Sequence, residues 1–149
     1  MTQTDLFYPY SAELELACMA LFDANCPQFF APNERDEYQC FLKSQPVGYQ
    51  VCLLNDEVVG AFGLLKHNQD YAINWIMLSP KTQGSGVGKQ VMKHVIATAI
   101  AQGIEKISIA ASHLSAPFFA TFGAVAVNEI EHGWGQGMHR IDMVLNIEP

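Results

Sequence analysis

Tyr71-Ala72-Ile73-Asn74-Trp75-Ile76-Met77-Leu78-Ser79-Pro80-Lys81-Thr82-Gln83-Gly84-Ser85-Gly86-Val87-Gly88 is the run from which the architecture is read. Its first part, Tyr71 to Ser79, is mostly apolar and reads as a strand. Pro80 ends it, because proline donates no ladder hydrogen bond. Three glycines on alternate positions follow, and a helix begins near Val87. Strand, glycine turn and helix N-terminus together form an anion cradle. The first N–H groups of a helix have no intrahelical partner, the macrodipole adds partial positive charge there, and glycines let backbone amides approach a phosphate closely. Taken alone, the glycines make either a tight surface turn or a seat for a pyrophosphate on Gln83, Gly84, Ser85, Gly86, Val87, Gly88 and Lys89; the second is the reading adopted.

Two phosphate motifs are excluded by their own terms. A Walker loop needs Gly-Lys followed by Ser or Thr, and Gly88-Lys89 is followed by Gln90. The dinucleotide fingerprint needs G-x-G-x-x-G, and the third glycine here comes one residue early.

Working outward, Val91, Met92, Val95, Ile96, Ala99 and Ile100 share one wide face of a helix running to about Gln102, so that helix packs on a sheet. Gly103 is its left-handed cap. Lys106 to Ala111 reads as a buried parallel strand, which completes a right-handed βαβ unit. Ser115 to Phe122 is a short helix with Pro117 in its first turn. Val125 to Glu131 and Met138 to Ile147 are closing strands. Their connector, His132 to Gly137, is either a loose hairpin loop or a loop that closes over a substrate with Trp134 as a wall.

Upstream, Leu6 to Tyr8 is a short strand. A helix capped by Ser11 runs to about Asn25, with Leu14, Cys18, Leu21 and Phe22 as its apolar stripe. Pro27 ends it. Asn33 is expected to cap a second helix whose inner face carries Tyr38, Phe41 and Leu42. Phe29 and Phe30, between the two helices, either pack beneath them or wall a substrate pocket. Strands at Tyr49–Leu54 and Val58–Leu65 meet at Asn55-Asp56, a hairpin signal without its glycine.

The 149 residues carry a formal net charge of −7, and half of them are hydrophobic. The length suits one domain with a real core, and the charge argues against a nucleic-acid surface. The expectation is a protein without a membrane span or signal start. Cys18, Cys26, Cys40 and Cys52 lack C-x-x-C pairing and read as reduced thiols of a cytoplasmic protein, with no metal site.

Gln83, Gly86 and Gly88 fall on the fixed positions of the Q/R-x-x-G-x-G/A signature, and the sequence resembles the GNAT superfamily of acyl-CoA-dependent N-acyltransferases. The resemblance spans roughly Val47 to Leu145. It takes in Leu78-Ser79-Pro80 and the segment Ser115 to Gly123, which is similar to the family's second CoA helix. It implies an α/β (α+β) fold over residues 1–149, with a mixed, mostly antiparallel sheet, a parallel βαβ crossover and helices on both faces. It further implies acetyl-CoA as co-substrate and the primary amine of a small molecule or peptide as acceptor, in a monomer or homodimer. By the same resemblance the pantetheine arm lies between two diverging strands. It pairs with the backbone of Ile76, Met77 and Leu78, near Ser112, Phe118 and Phe119, and the resemblance favours the reading in which the region of Phe29 and Phe30 lines the acceptor side.

The catalytic groups are less determined. The family's usual acid is a tyrosine on the short helix, and the matching position holds Phe119, which cannot protonate sulfur. Ser112 and His113 are the nearest alternatives; His113 also reads as a solvent-exposed loop histidine. For the base, Asn74 cannot ionise but can orient an acceptor or a water. His139 titrates near neutrality or is structural, and Glu129 and Glu131 stay open. Besides direct acetyl transfer in a ternary complex, two rivals stand. One is a CoA-binding regulatory module that lost the chemistry, and the other is a phosphate-binding domain for another nucleotide.

Overall fold

The computed structural model describes residues 6–67, 70–82 and 84–148. Gln83 therefore lies outside the described residues. Seven strands form one sheet in the order β1-β2-β3-β4-β5-β7-β6. They are β1 Phe7–Pro9, β2 Tyr49–Leu54, β3 Glu57–His67, β4 Asp70–Leu78, β5 Lys106–Ser112, β6 Val125–Gly135 and β7 Met138–Asn146. Every pairing is antiparallel except β4 with β5. The helices are α1 Glu15–Ala24, α2 Arg35–Lys43, α3 Val87–Ala101 and α4 Ala116–Ala120.

The helices divide between two cores. Cys18, Phe22, Tyr38 and Leu42 of α1 and α2 pack with Tyr49, Val51, Ala61 and Met77. Val87, Val91, Met92 and Val95 of α3, with Phe119 of α4, pack with Phe62, Ile107, Ile109 and Met143. Alternate residues of a strand face opposite sides, so Ala61 and Phe62, adjacent in β3, serve different cores. The sheet thus carries helices on both faces, as the resemblance implied.

Several local expectations change. No side-chain bond from Ser11 caps α1, which begins instead through a 3-10 turn at Ala12–Leu14. Asn33 does not cap α2. A 3-10 turn at Pro32–Glu34 precedes that helix, and the Ala31 N–H donates to Glu34 Oε2 at 2.8 Å. Proline at the first helical position and a carboxylate reaching back satisfy that end without Asn33. β5 alternates buried Ile107, Ile109 and Ala111 with exposed Lys106, Ser108 and Ala110, so it is open on one face rather than buried on both. The β2–β3 turn manages without glycine because Asn55 and Asp56 themselves take left-handed φ of 51° and 65°, which these residue types tolerate best.

The connector after Glu131 is largely strand. β6 continues through a register shift between Ile130 and Gly135. The Trp134 indole Nε1–H donates to the Ala111 carbonyl at 2.9 Å, and Asn33 Nδ2 donates to the Trp134 carbonyl at 2.9 Å. Those bonds tie the hairpin to β5 and to the α1–α2 connection.

Candidate active site

The site begins where the sheet comes apart. β4 and β5 pair only over Tyr71–Ile73 and Ile107–Ile109, yet both strands run on, to Leu78 and Ser112. From Asn74 onward the β5-side edge of β4 has no strand partner. The β3–β4 register also slips there, between Ala61 and Gly63, and Trp75 stands at φ 46°. A non-glycine residue held in that region marks a bend that its surroundings must stabilise. They do so through Tyr49, whose hydroxyl donates to the Trp75 carbonyl at 2.6 Å and lies 2.9 Å from the Tyr38 hydroxyl. Burial pushes the Tyr49 phenol well above its ordinary range, so it remains a neutral donor.

A cavity of about 700 Å³ passes through this split. On the α3 side it is lined by Gly84, Gly86, Gly88, Lys89 and Phe118, and on the α1–α2 side by Asn25, Gln28, Phe29, Phe30, Glu34 and Trp134. Asn74, Ile76, Met77 and Leu78 of β4, Ser112 of β5 and Phe119 of α4 form the middle.

The α3 end has the geometry of an anion cradle. Gly84 and Gly86 take φ of 85° and 87°, with open space where a Cβ would stand. Gly88 is needed for packing, since a Cβ there would come within 3.0 Å of both Leu78 and Phe118. Among the described residues, no protein acceptor meets the N–H groups of Val87, Gly88 and Lys89. Ser85 is different: its N–H donates to the Thr82 carbonyl at 2.9 Å and its hydroxyl bonds the same oxygen. Val87 offers its amide alone, because its side chain is buried in the core.

The profile of the acetyltransferase (GNAT) family matches residues 18–124. The chain belongs to the GNAT acetyltransferase family. Among curated proteins none matches at a significant level. Solved structures share the fold at low identity. A GNAT-family protein from Desulfovibrio desulfuricans is 20% identical at a TM-score of 0.73, covering 95% of this chain and 98% of that one. The ribosomal-protein-alanine N-acetyltransferase of Escherichia coli is 13% identical at 0.76, covering 96% and 94%. An aminoglycoside 6'-N-acetyltransferase solved with coenzyme A is 12% identical at 0.73, covering 97% and 98%.

Within this GNAT chain the sequence-derived candidates separate. Asn74 and Ser112 reach the cavity, whereas His113 and His139 do not line it. The reason is local bonding. His113 Nδ1 accepts from the His139 N–H at 3.2 Å, and His139 Nδ1 accepts from the His132 N–H at 3.0 Å. These rings pin the β5–β7–β6 end and leave the split to others. His139 faces a separate surface depression with Glu129 and Glu131. Phe119 is buried and presents only its ring to the cavity. Ser112 and Ser115 hydroxyls lie 3.1 Å apart and bond each other's backbone N–H groups, which fixes the turn into α4.

The group that sequence reading missed is Glu34. From sequence alone, an acid in the first turn of a helix reads as no more than a partner of the helix dipole. In the fold it is 3% exposed, lines the cavity, and burial pushes its carboxyl up to about 7. The Ala31 N–H pulls the other way but does not offset the loss of water. The available signal was a Pro-x-Glu at a helix start beside an aromatic pair. Nothing in the sequence placed that start at the sheet's split.

The open amides and flanking Lys89 fit a coenzyme A diphosphate, and the unpaired β4 edge fits its amide-bearing arm. Among the described residues, no group of three or more His, Cys, Asp or Glu is placed to hold a metal ion. No described helix is long and apolar enough to cross a membrane.

Proposed function

We propose that the protein transfers an acetyl group from acetyl-CoA to the primary amine of a small molecule or peptide, by direct attack within a ternary complex. One observation carries this reading: a single cavity joins a helix N-terminus with open amides to a buried, near-neutral carboxyl on the opposite face of the sheet.

Bound acetyl-CoA supplies an activated acyl thioester. The protein's part is positioning and proton handling. The N–H groups of Val87, Gly88 and Lys89 hold the diphosphate, and the unpaired edge of β4 from Asn74 to Leu78 aligns the pantetheine amides by strand-like bonding. Glu34 acts as the general base. A carboxyl near 7 is half-ionised at neutral pH and accepts a proton from an ammonium on its way to becoming a nucleophile. Asn74 orients the amine or a bridging water. The protein supplies no tyrosine at Phe119. A thiol of ordinary acidity leaves near neutral pH with little help, and Ser112, at the end of β5, offers a hydroxyl to the split.

The test is release of free thiol from acetyl-CoA against a panel of amines, with the product identified by mass. Amine-dependent release with acetylated product is the expected result. Tight CoA binding without turnover on any amine would instead support the regulatory-module reading.

A further inference from the structure

We propose that the acceptor is a small molecule with one cationic amine on an apolar or aromatic body and no carboxylate. This deepens the acetyltransferase reading and rests on it.

Charge gives the first argument. Among the described residues, Glu34 is the sole ionisable side chain on the α1–α2 side of the cavity, and the only basic lining residue, Lys89, stands at the opposite end. Arg140 lies 5.0 Å from the Trp134 ring centroid, but it is paired with Asp142 at 2.7 Å and does not line the cavity. An acceptor carboxylate would thus be desolvated beside Glu34 with no cation to offset it. A polyamine fares little better. One carboxyl neutralises one ammonium, and each further charge would rest against aromatic carbon away from water.

The walls give the second argument. Phe30 stacks on Trp75 at 6.0 Å between centroids, and Phe29 and Trp134 complete an aromatic lining. Such surfaces favour a flat apolar body and tolerate a single cation over a ring face.

Closure gives the third. Asn33 Nδ2 donates to the Trp134 carbonyl, so the α1–α2 connection touches β6. Gly135 sits so tightly against it that a Cβ there would lie 2.5 Å from Asn33 Oδ1 and 2.9 Å from the Ala31 Cβ. The two walls meet at that point, so a peptide chain cannot leave the pocket between Asn33 and Gly135.

The experiment compares matched amines in the thiol-release assay: phenethylamine, phenylalanine (the same body with a carboxylate), spermidine, and a short peptide with an N-terminal phenylalanine. The expected order places phenethylamine at least about tenfold above the other three in kcat/KM, the scale on which an uncompensated buried charge discriminates. If phenylalanine, spermidine or the peptide equals or exceeds phenethylamine, this inference falls while acetyl transfer stands. If no amine in this set or in a wider panel drives release, although calorimetry shows CoA bound, both readings fall.

Discussion

At the scale of single residues, Glu34 carries two consequences that oppose each other. As the proposed base it must lose its proton, and burial makes that loss costly. Replacing it with glutamine keeps an oxygen to accept the Ala31 N–H and removes the charge. We expect Glu34→Gln to lower kcat by about 100-fold or more and to abolish the rise in rate as pH increases through about 7; an unchanged pH–rate profile would remove Glu34 from the chemistry. Stability should move the other way. Because the folded carboxyl titrates above the ordinary range, the folded state binds the extra proton between that range and about 7. Parent stability therefore falls as pH rises through that window. Thermal unfolding near pH 8 should show Glu34→Gln more stable by on the order of 2 kcal/mol, an advantage that vanishes near pH 4. Tyr49 makes a second residue-scale case. Tyr49→Phe removes the donor to the Trp75 carbonyl and should cost about 1–3 kcal/mol of stability. With the bend in β4 loosened, kcat should drop more than CoA affinity does, as steady-state kinetics beside calorimetry would show. Neither placement was legible in the sequence, because each depends on a distant element brought up by the fold: the sheet's split for Glu34, a carbonyl of β4 for Tyr49.

At the scale of elements, much more was legible. Glycines on alternate positions after an apolar run predicted the turn and the start of α3, and α3 does begin at Val87 with Gly86 left-handed before it. The reason is local: a left-handed backbone and an open helix end are fixed by residues adjacent in sequence. Gly86→Asp would force a Cβ onto a backbone at φ 87° and set a negative charge at the cradle. We expect CoA binding to weaken by about 100-fold or more by calorimetry, with the circular dichroism of the fold retained. Unchanged affinity in the folded variant would move the diphosphate elsewhere. Reading failed where an element's end is decided at a distance. Asn33 looked like a helix cap and is instead a cross-link to β6. His113 and His139, open in the sequence as either catalytic or structural, stand outside the cavity lining with their Nδ1 atoms engaged by backbone N–H groups.

At the scale of the whole molecule, the site exists because two faces of one sheet communicate. The βαβ unit was expected from the order of elements and the mixed sheet around it from the family resemblance, and its parallel pair is where the strands part. Patterning could show that α1 and α2 are amphipathic. It could not show that their connection would meet the same opening that α3 meets from the other side, since no short-range signal relates Glu34 to Gly86. The most direct test is a crystal structure of the protein with coenzyme A bound. It should show the diphosphate within hydrogen-bond distance of the Val87, Gly88 and Lys89 amides, the pantetheine arm along β4 in the split, and the sulfur directed toward the side that carries Glu34. A carrier bound away from the α3 N-terminus, or a split filled by the protein itself, would contradict the account.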